Sequence, residues 1–163
     1  MLTGRERCQG SGRHLCVALA FTLAACGNET TSTPPQREIP DVSGNWNYQA
    51  LDLTSATTDF ECSVTGILSI AQTGSALSGQ LSGTSIECQS PTQGFFSSGV
   101  GGGLANAEIQ ANGVVRFDVG GPQFHHEGSY SAASISMQGS VDLVENPGTV
   151  DNHIFSGSWS AKR

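Results

Sequence analysis

From residue 41 to residue 163 the sequence alternates. In Ile135-Ser-Met-Gln-Gly-Ser-Val-Asp-Leu143, the positions Ile135, Met137, Gly139, Val141 and Leu143 share one face, and Ser136, Gln138, Ser140 and Asp142 share the other. Successive side chains of a strand point to opposite sides, so this period predicts antiparallel sheet with one dry and one wet face. Val115, Phe117 and Val119 repeat the pattern against Arg116 and Asp118, closed by Gly120-Gly-Pro122. No segment after residue 41 carries the 3.6-residue period of a helix. The chain therefore has to bury the apolar face of every strand and hide the edges of every sheet.

Two hairpins stand out. Val64–Ala71 pairs with Ala76–Ser82 across Gln72-Thr-Gly-Ser75, and Phe124–Tyr130 pairs with Ile135–Leu143. Val42–Leu51, Ser85–Gln89, Leu104–Gln110 and Ile154–Ala161 are further strand candidates. With them the count is about eight strands, at roughly fifteen residues per strand and turn, the rhythm of a meander. We expect an all-β fold, an eight-stranded antiparallel up-and-down barrel, with a two-sheet β-sandwich as the alternative. Gly44, Gly79, Gly128, Gly139 and Gly157 lie inside strands, where they permit the bends of a closed sheet. The first and last strands carry matching tetrapeptides, Ser43-Gly-Asn-Trp46 and Ser156-Gly-Ser-Trp159. Closure would make those strands neighbours.

The first forty residues have another character. Arg5, Arg7 and Arg13 precede an eleven-residue apolar run, Leu15–Ala25, interrupted only by Thr22. That is too short for a membrane-crossing helix, which needs about 20 residues, and has the layout of a secretory signal. Leu23-Ala24-Ala25-Cys26-Gly27 resembles the lipobox of bacterial lipoproteins. The resemblance implies cleavage before Cys26, a diacylglyceryl group on its thiol, and anchorage to the cell envelope through lipid. Gly27 stands where an Asp would resemble an inner-membrane retention signal, which points to the outer membrane of a diderm host. Asn28–Pro40 holds three prolines and one large apolar residue and reads as a tether. The expected organisation is a signal peptide over 1–25, a lipidated tether over 26–40 and a β-barrel domain over 41–163.

Processing simplifies the cysteines. Cys8 and Cys16 leave with the signal and Cys26 takes lipid, so Cys62 and Cys88 remain as a pair in an oxidising compartment. We expect a disulfide between them, because two thiolates without a third ligand make a poor metal site. From Cys26 onward 13 acids oppose 4 bases, a net charge of −9. Between Arg37 and Lys162 the sole base is Arg116. No basic patch for nucleic acid can be built from that, and anionic head groups repel it, so lipid alone would hold the chain to a membrane.

Gly44-Asn45-Trp46 resembles the G-x-W opening of lipocalins, in which the Trp packs at the closed end of the barrel beneath a basic side chain from the C-terminal region. Lys162 and Arg163 are placed to supply that base. The short domain, tight hairpins and lack of a terminal helix are more similar to the avidin type of barrel, and residues 66–83 match its early hairpin in rhythm. Both are calycin-type barrels. Biotin binding is not implied, because Trp46 and Trp159 are the domain's two tryptophans and both are needed for packing.

A small barrel is either filled by its own side chains or keeps room for one ligand. The inward set read from alternation is Trp46, Tyr48, Leu68, Ile70, Leu77, Leu81, Phe117, Phe124, Tyr130, Ile135, Met137, Val141, Phe155 and Trp159. A small apolar ligand would meet Phe117, Phe124 and Met137, with Tyr48, His126 and Tyr130 as polar tips. The competing expectation is a structural or protein-interaction lipoprotein with a filled barrel. Its contact loop would be 89–103, where Phe95 and Phe96 form an apolar pair in a polar stretch. His125 and His126 point to opposite faces and cannot chelate one metal ion without a bulge, so a metal site would need His153 to meet one of them across strands. The acids show no general acid and base spacing, no Ser sits in G-x-S-x-G, and Gly99-Val-Gly-Gly-Gly103 lacks the Lys of a phosphate loop. We therefore expect a non-enzyme without cofactor or metal.

Overall fold

The computed structural model describes residues 37–120, 123–145 and 153–163. Every regular element in them is a strand. These are β1 (Gly44–Thr54), β2 (Glu61–Thr73), β3 (Ala76–Ser90), β4 (Gly94–Gly99), β5 (Gly102–Ile109), β6 (Val114–Val119), β7 (Phe124–Ser131), β8 (Ser136–Glu145) and β9 (His153–Lys162). The sheet runs β2-β1-β9-β8-β7-β6-β5-β3-β4, and a β2–β3 pairing closes it on itself. Eight strands make a closed antiparallel barrel and β4 is an addition to it, so the sandwich alternative falls. The first and last strands are neighbours as the matching tetrapeptides predict, with Asn47 opposite Lys162 and Ala50 opposite Trp159. The signal peptide, Cys26 and residues 26–36 of the tether lie outside the described residues, as do Gly121 and Pro122.

Closure needs bends, and the bends sit at irregular residues. Pairing of β1 slips between Ala50 and Leu53 against β2, and between Leu51 and Thr54 against β9. Asp52, inside both slips, takes a φ of 55°. The bulge restores Leu53 to the interior, where it is fully buried. A second bulge in β5 centres on Asn106, with a φ of 48°, and Asn tolerates this left-handed region better than most residues.

Three expectations need correction. Ile135 is half exposed with a φ of 45° in the β7–β8 turn, and Ser136, assigned to the wet face, is buried instead. Regular alternation therefore starts only after the turn, and the inward row of β8 begins at Met137 with the expected parity. Ser85–Gln89 is not a separate strand; it is the upper part of the fifteen-residue β3. Residues 89–103 are not a loose loop, because Ser90 pairs with Gly94 and β4 then runs back along β3 to Gly99 opposite Ser85.

One end of the barrel is shut by the G-x-W segment. Trp46 is buried, its indole N–H donates to the Val42 carbonyl at 2.9 Å, and the Arg163 guanidinium carbon lies 4.2 Å from the centre of its ring. Arg163 also donates to the Ser43 carbonyl. Gly44 is favoured here by its φ of +123°, and a Cβ at this position would lie 3.1 Å from the guanidinium, a contact that a small shift of the arginine relieves. Gln72 straps the incoming chain to the β2–β3 turn, accepting from Val42 N–H at 2.8 Å and donating to the Pro40 and Gly74 carbonyls. At the other end, Cys62 and Cys88 stand directly opposite on β2 and β3 and form the expected disulfide.

Candidate functional site

The inward rows of β1, β6, β7, β8 and β9 meet in an aromatic layer at the centre of the barrel. Tyr48, Phe117, Phe124, His126, Met137 and Trp159 are all buried in it. Phe117 stacks on the His126 ring at 4.3 Å between centroids, Phe124 meets that ring edge-on at 4.5 Å, and Tyr48 lies over Trp159 at 6.3 Å. Five of the six residues predicted to touch a ligand, Tyr48, Phe117, Phe124, His126 and Met137, are thus fully buried together. Tyr130, the sixth, is half-buried at the closed end, edge-on to Trp46.

The polar tips in this layer bond to the protein itself. His126 Nδ1 lies 3.1 Å from the Phe124 carbonyl and donates to it, which leaves Nε2 to accept from the Tyr48 hydroxyl at 2.7 Å. Burial drives the imidazole down to a pKa of about 3, so the ring is neutral at any physiological pH. Burial likewise pushes the Tyr48 hydroxyl well above its ordinary value. The pair is a satisfied buried hydrogen bond between two uncharged groups.

Trp159 fits because two glycines make room. Gly139 and Gly128 are paired on β8 and β7, in the row that continues from Trp159. A Cβ on Gly139 would fall 1.9 Å from the Glu127 carbonyl oxygen, and one on Gly128 would fall 2.9 Å from Trp159 Cζ2. The indole spans both bare positions and donates to the Glu127 carbonyl at 3.2 Å. Sequence alternation places these glycines inward but gives no hint that they are the bed of a tryptophan.

The outer wall is polar. Gln49, Ser160, Gln138 and Ser129 form one row across β1, β9, β8 and β7, the reverse of the apolar band on a lipid-facing barrel. A shallow cavity of about 370 Å³ lies over this row. His125 and His126 do take opposite faces. His125 contacts Asp118 at 2.6 Å, and Asn106 donates to the same carboxylate at 2.7 Å. Burial tends to raise the Asp118 carboxyl, but these hydrogen bonds outweigh it and hold the group below the usual carboxylate range. The cluster pins the β5 bulge to β6 and β7. His153 joins neither histidine; it bonds the Thr57 hydroxyl at 2.7 Å. Among the described residues no group of three metal-ligating side chains forms.

The second distinctive region is a flap made of the upper ends of β2 and β3 together with β4. All six residues of β4, Gly-Phe-Phe-Ser-Ser-Gly, are exposed, and Phe95 is 62% accessible. Phe96 lies on the disulfide side and meets Phe60 edge-on at 5.3 Å. Phe95 lies on the other side, in the row of Gln89 and Glu61, next to the row of Glu87 and Ser63. That side borders a cavity of about 580 Å³ lined by Asp52, Asp59, Glu61 and Glu87. Sequence reasoning picked Phe95 and Phe96 but missed the carboxylates beside them. A signal was present, since both disulfide cysteines follow a glutamate, Glu61-Cys62 and Glu87-Cys88. Turning both thiols inward turns both glutamates outward on adjacent strands.

Taken together, the closed eight-stranded meander, the tryptophan at its shut end and the arginine over that tryptophan are consistent with a calycin-type barrel. No family model, curated protein or solved structure matches the chain.

Proposed function

We propose that the chain is an exported lipoprotein of the cell envelope, attached by lipid on Cys26, whose barrel is a packed scaffold for protein interaction. The observation that carries this reading is the occupied interior. Six large side chains fill the central layer, and the Tyr48 and His126 polar atoms are bonded to each other and to the backbone. The flap offers what the interior does not, an accessible aromatic surface beside open backbone. The lipobox resemblance supports export and anchoring, the polar outer wall suits a barrel that stands clear of lipid, and the acidic balance leaves nucleic acid out. The proposal contains no catalytic step and no cofactor. Outer-membrane placement rests on Gly27. The other expectation, a small apolar ligand in the lumen, is supported by barrel architecture and would require the stacked Phe117, His126 and Phe124 rings to part.

Native mass spectrometry of the full chain purified from its own host tests this. The expected species is the chain from Cys26 with acyl mass, and Cys26→Ser returns an unacylated chain. An unmodified Cys26 would overturn the anchor. A stoichiometric small molecule that leaves only on unfolding would overturn the packed scaffold.

A further inference from the structure

We infer that the free edge of β4 is a strand-addition site for an extended, lysine- or arginine-rich segment of a partner protein. The inference deepens the interaction reading above and rests on it. β4 ends the sheet order and pairs with β3 alone, so one full side of its backbone N–H and C=O groups has no strand partner among the described residues. Sheets ordinarily protect such an edge with charge, proline or a bulge. β4 has none of these: its register against β3 is unbroken and its sequence is Gly-Phe-Phe-Ser-Ser-Gly. An incoming extended segment would gain main-chain hydrogen bonds along this edge, and alternate side chains would set its specificity.

Charge decides what kind of segment fits. Between Arg37 and Arg116 the sequence has seven acids and no base. Four of those acids, Asp52, Asp59, Glu61 and Glu87, line the depression on the outer face of the flap. In the row Ser63–Glu87–Ser97, Ser97 is the residue between Glu87 and the free edge. A strand added there stands about 10 Å from β3, since strands lie about 4.8 Å apart. A lysine or arginine reaching across the small Ser97 side chain meets Glu87, and the Phe95 ring offers a face to a neighbouring cation. A second copy of this chain would present the same uncharged edge, but it would bring another net −7 with its own carboxylates.

The test uses the full chain and a fluorescent eight-residue peptide of alternating lysine and threonine, with alternating glutamate and threonine as the control. Two further lysine peptides carry N-methyl groups on one or the other alternate set of backbone amides. The lysine peptide should bind saturably and more weakly as salt rises. Methylation of one set should abolish binding while methylation of the other leaves it, since alternate amides of a strand face opposite sides. Hydrogen exchange should slow at β4 amides on binding, and Glu61→Gln with Glu87→Gln should weaken binding about tenfold. Absence of saturable binding at low salt overturns the site. Equal binding by both methylated peptides overturns strand addition, leaving diffuse charge attraction. Sedimentation of the chain as a dimer with β4 amides already protected identifies the occupant as a second copy instead. A small molecule found inside the barrel would overturn the packed scaffold without changing any of these readings.

Discussion

The centre of the barrel and the β2–β3–β4 flap are made from the same antiparallel ladder, yet they use it in opposite ways. In the centre each strand has a neighbour on both sides, and inward side chains from five strands share one aromatic layer. In the flap the ladder stops at β4, whose residues are all exposed, and the inward contacts come from the disulfide, Val64, Ile86 and the Phe60–Phe96 pair. A closed ladder stores stability in shared packing, whereas an open one leaves backbone and side chains free for another molecule. The difference turns on where β3 divides. Its lower part pairs with β5, through Ala76, Gln80 and Leu81, and its upper part pairs with β4 from Ser85 to Ser90.

The sharpest way to break this contrast is to cut into the central layer. Trp159→Ala removes the indole that spans Gly139 and Gly128, and should lower unfolding stability by about 3–5 kcal/mol in urea titration. A loss below about 1 kcal/mol would mean that the layer is not the core of the fold. A smaller, pH-dependent effect belongs to His126. Its pKa is near 6.5 when unfolded and about 3 when folded, so the unfolded chain takes up a proton that the native chain refuses. Stability is then fully present above pH 6.5 and declines toward pH 3, by at most roughly 1.4 kcal/mol per pH unit. Asp118, held low by Asn106 and His125, adds a loss at the acid end of that range. Joint replacement Tyr48→Phe and His126→Leu should flatten the decline between pH 6.5 and about 4.5. Parallel curves for the wild type and the double variant would show that another group sets it. The smallest effect is expected at the flap, where Phe95→Ala should change stability by less than about 0.5 kcal/mol. A larger change would mean that Phe95 is part of the packed structure rather than an available surface.

Alternation made the fold legible because a closed meander repeats one local rule on every strand. Inward positions such as Leu68, Leu81, Phe117 and Val141 follow from parity alone, and the paired tetrapeptides identify the strands that meet at closure. The rule fails where the backbone leaves extended geometry. Ile135 sits in a turn with a left-handed φ, so parity turns it inward although it is half exposed, and turns Ser136 outward although it is buried. Nor does parity show how far a strand runs. The step at Ser82-Gly-Thr84, with Gly83 at a φ of +61°, reads as a break, yet β3 passes through it and changes partner on one side. The candidate site was half legible for the same reason. Phe95 and Phe96 are conspicuous in a polar stretch, whereas Glu61 and Glu87 come beside them only through pairing between strands.

The contact of β1 with β9 constrains how such a molecule can come into being. Asn47 waits for Lys162, and Tyr48 for Ala161, so the ring stays an unzipped ribbon until residues 153–163 arrive. If the chain is exported as proposed, threading through a secretion pore from its front end would bring it out incapable of sealing itself and postpone the finished form to the far side of the membrane.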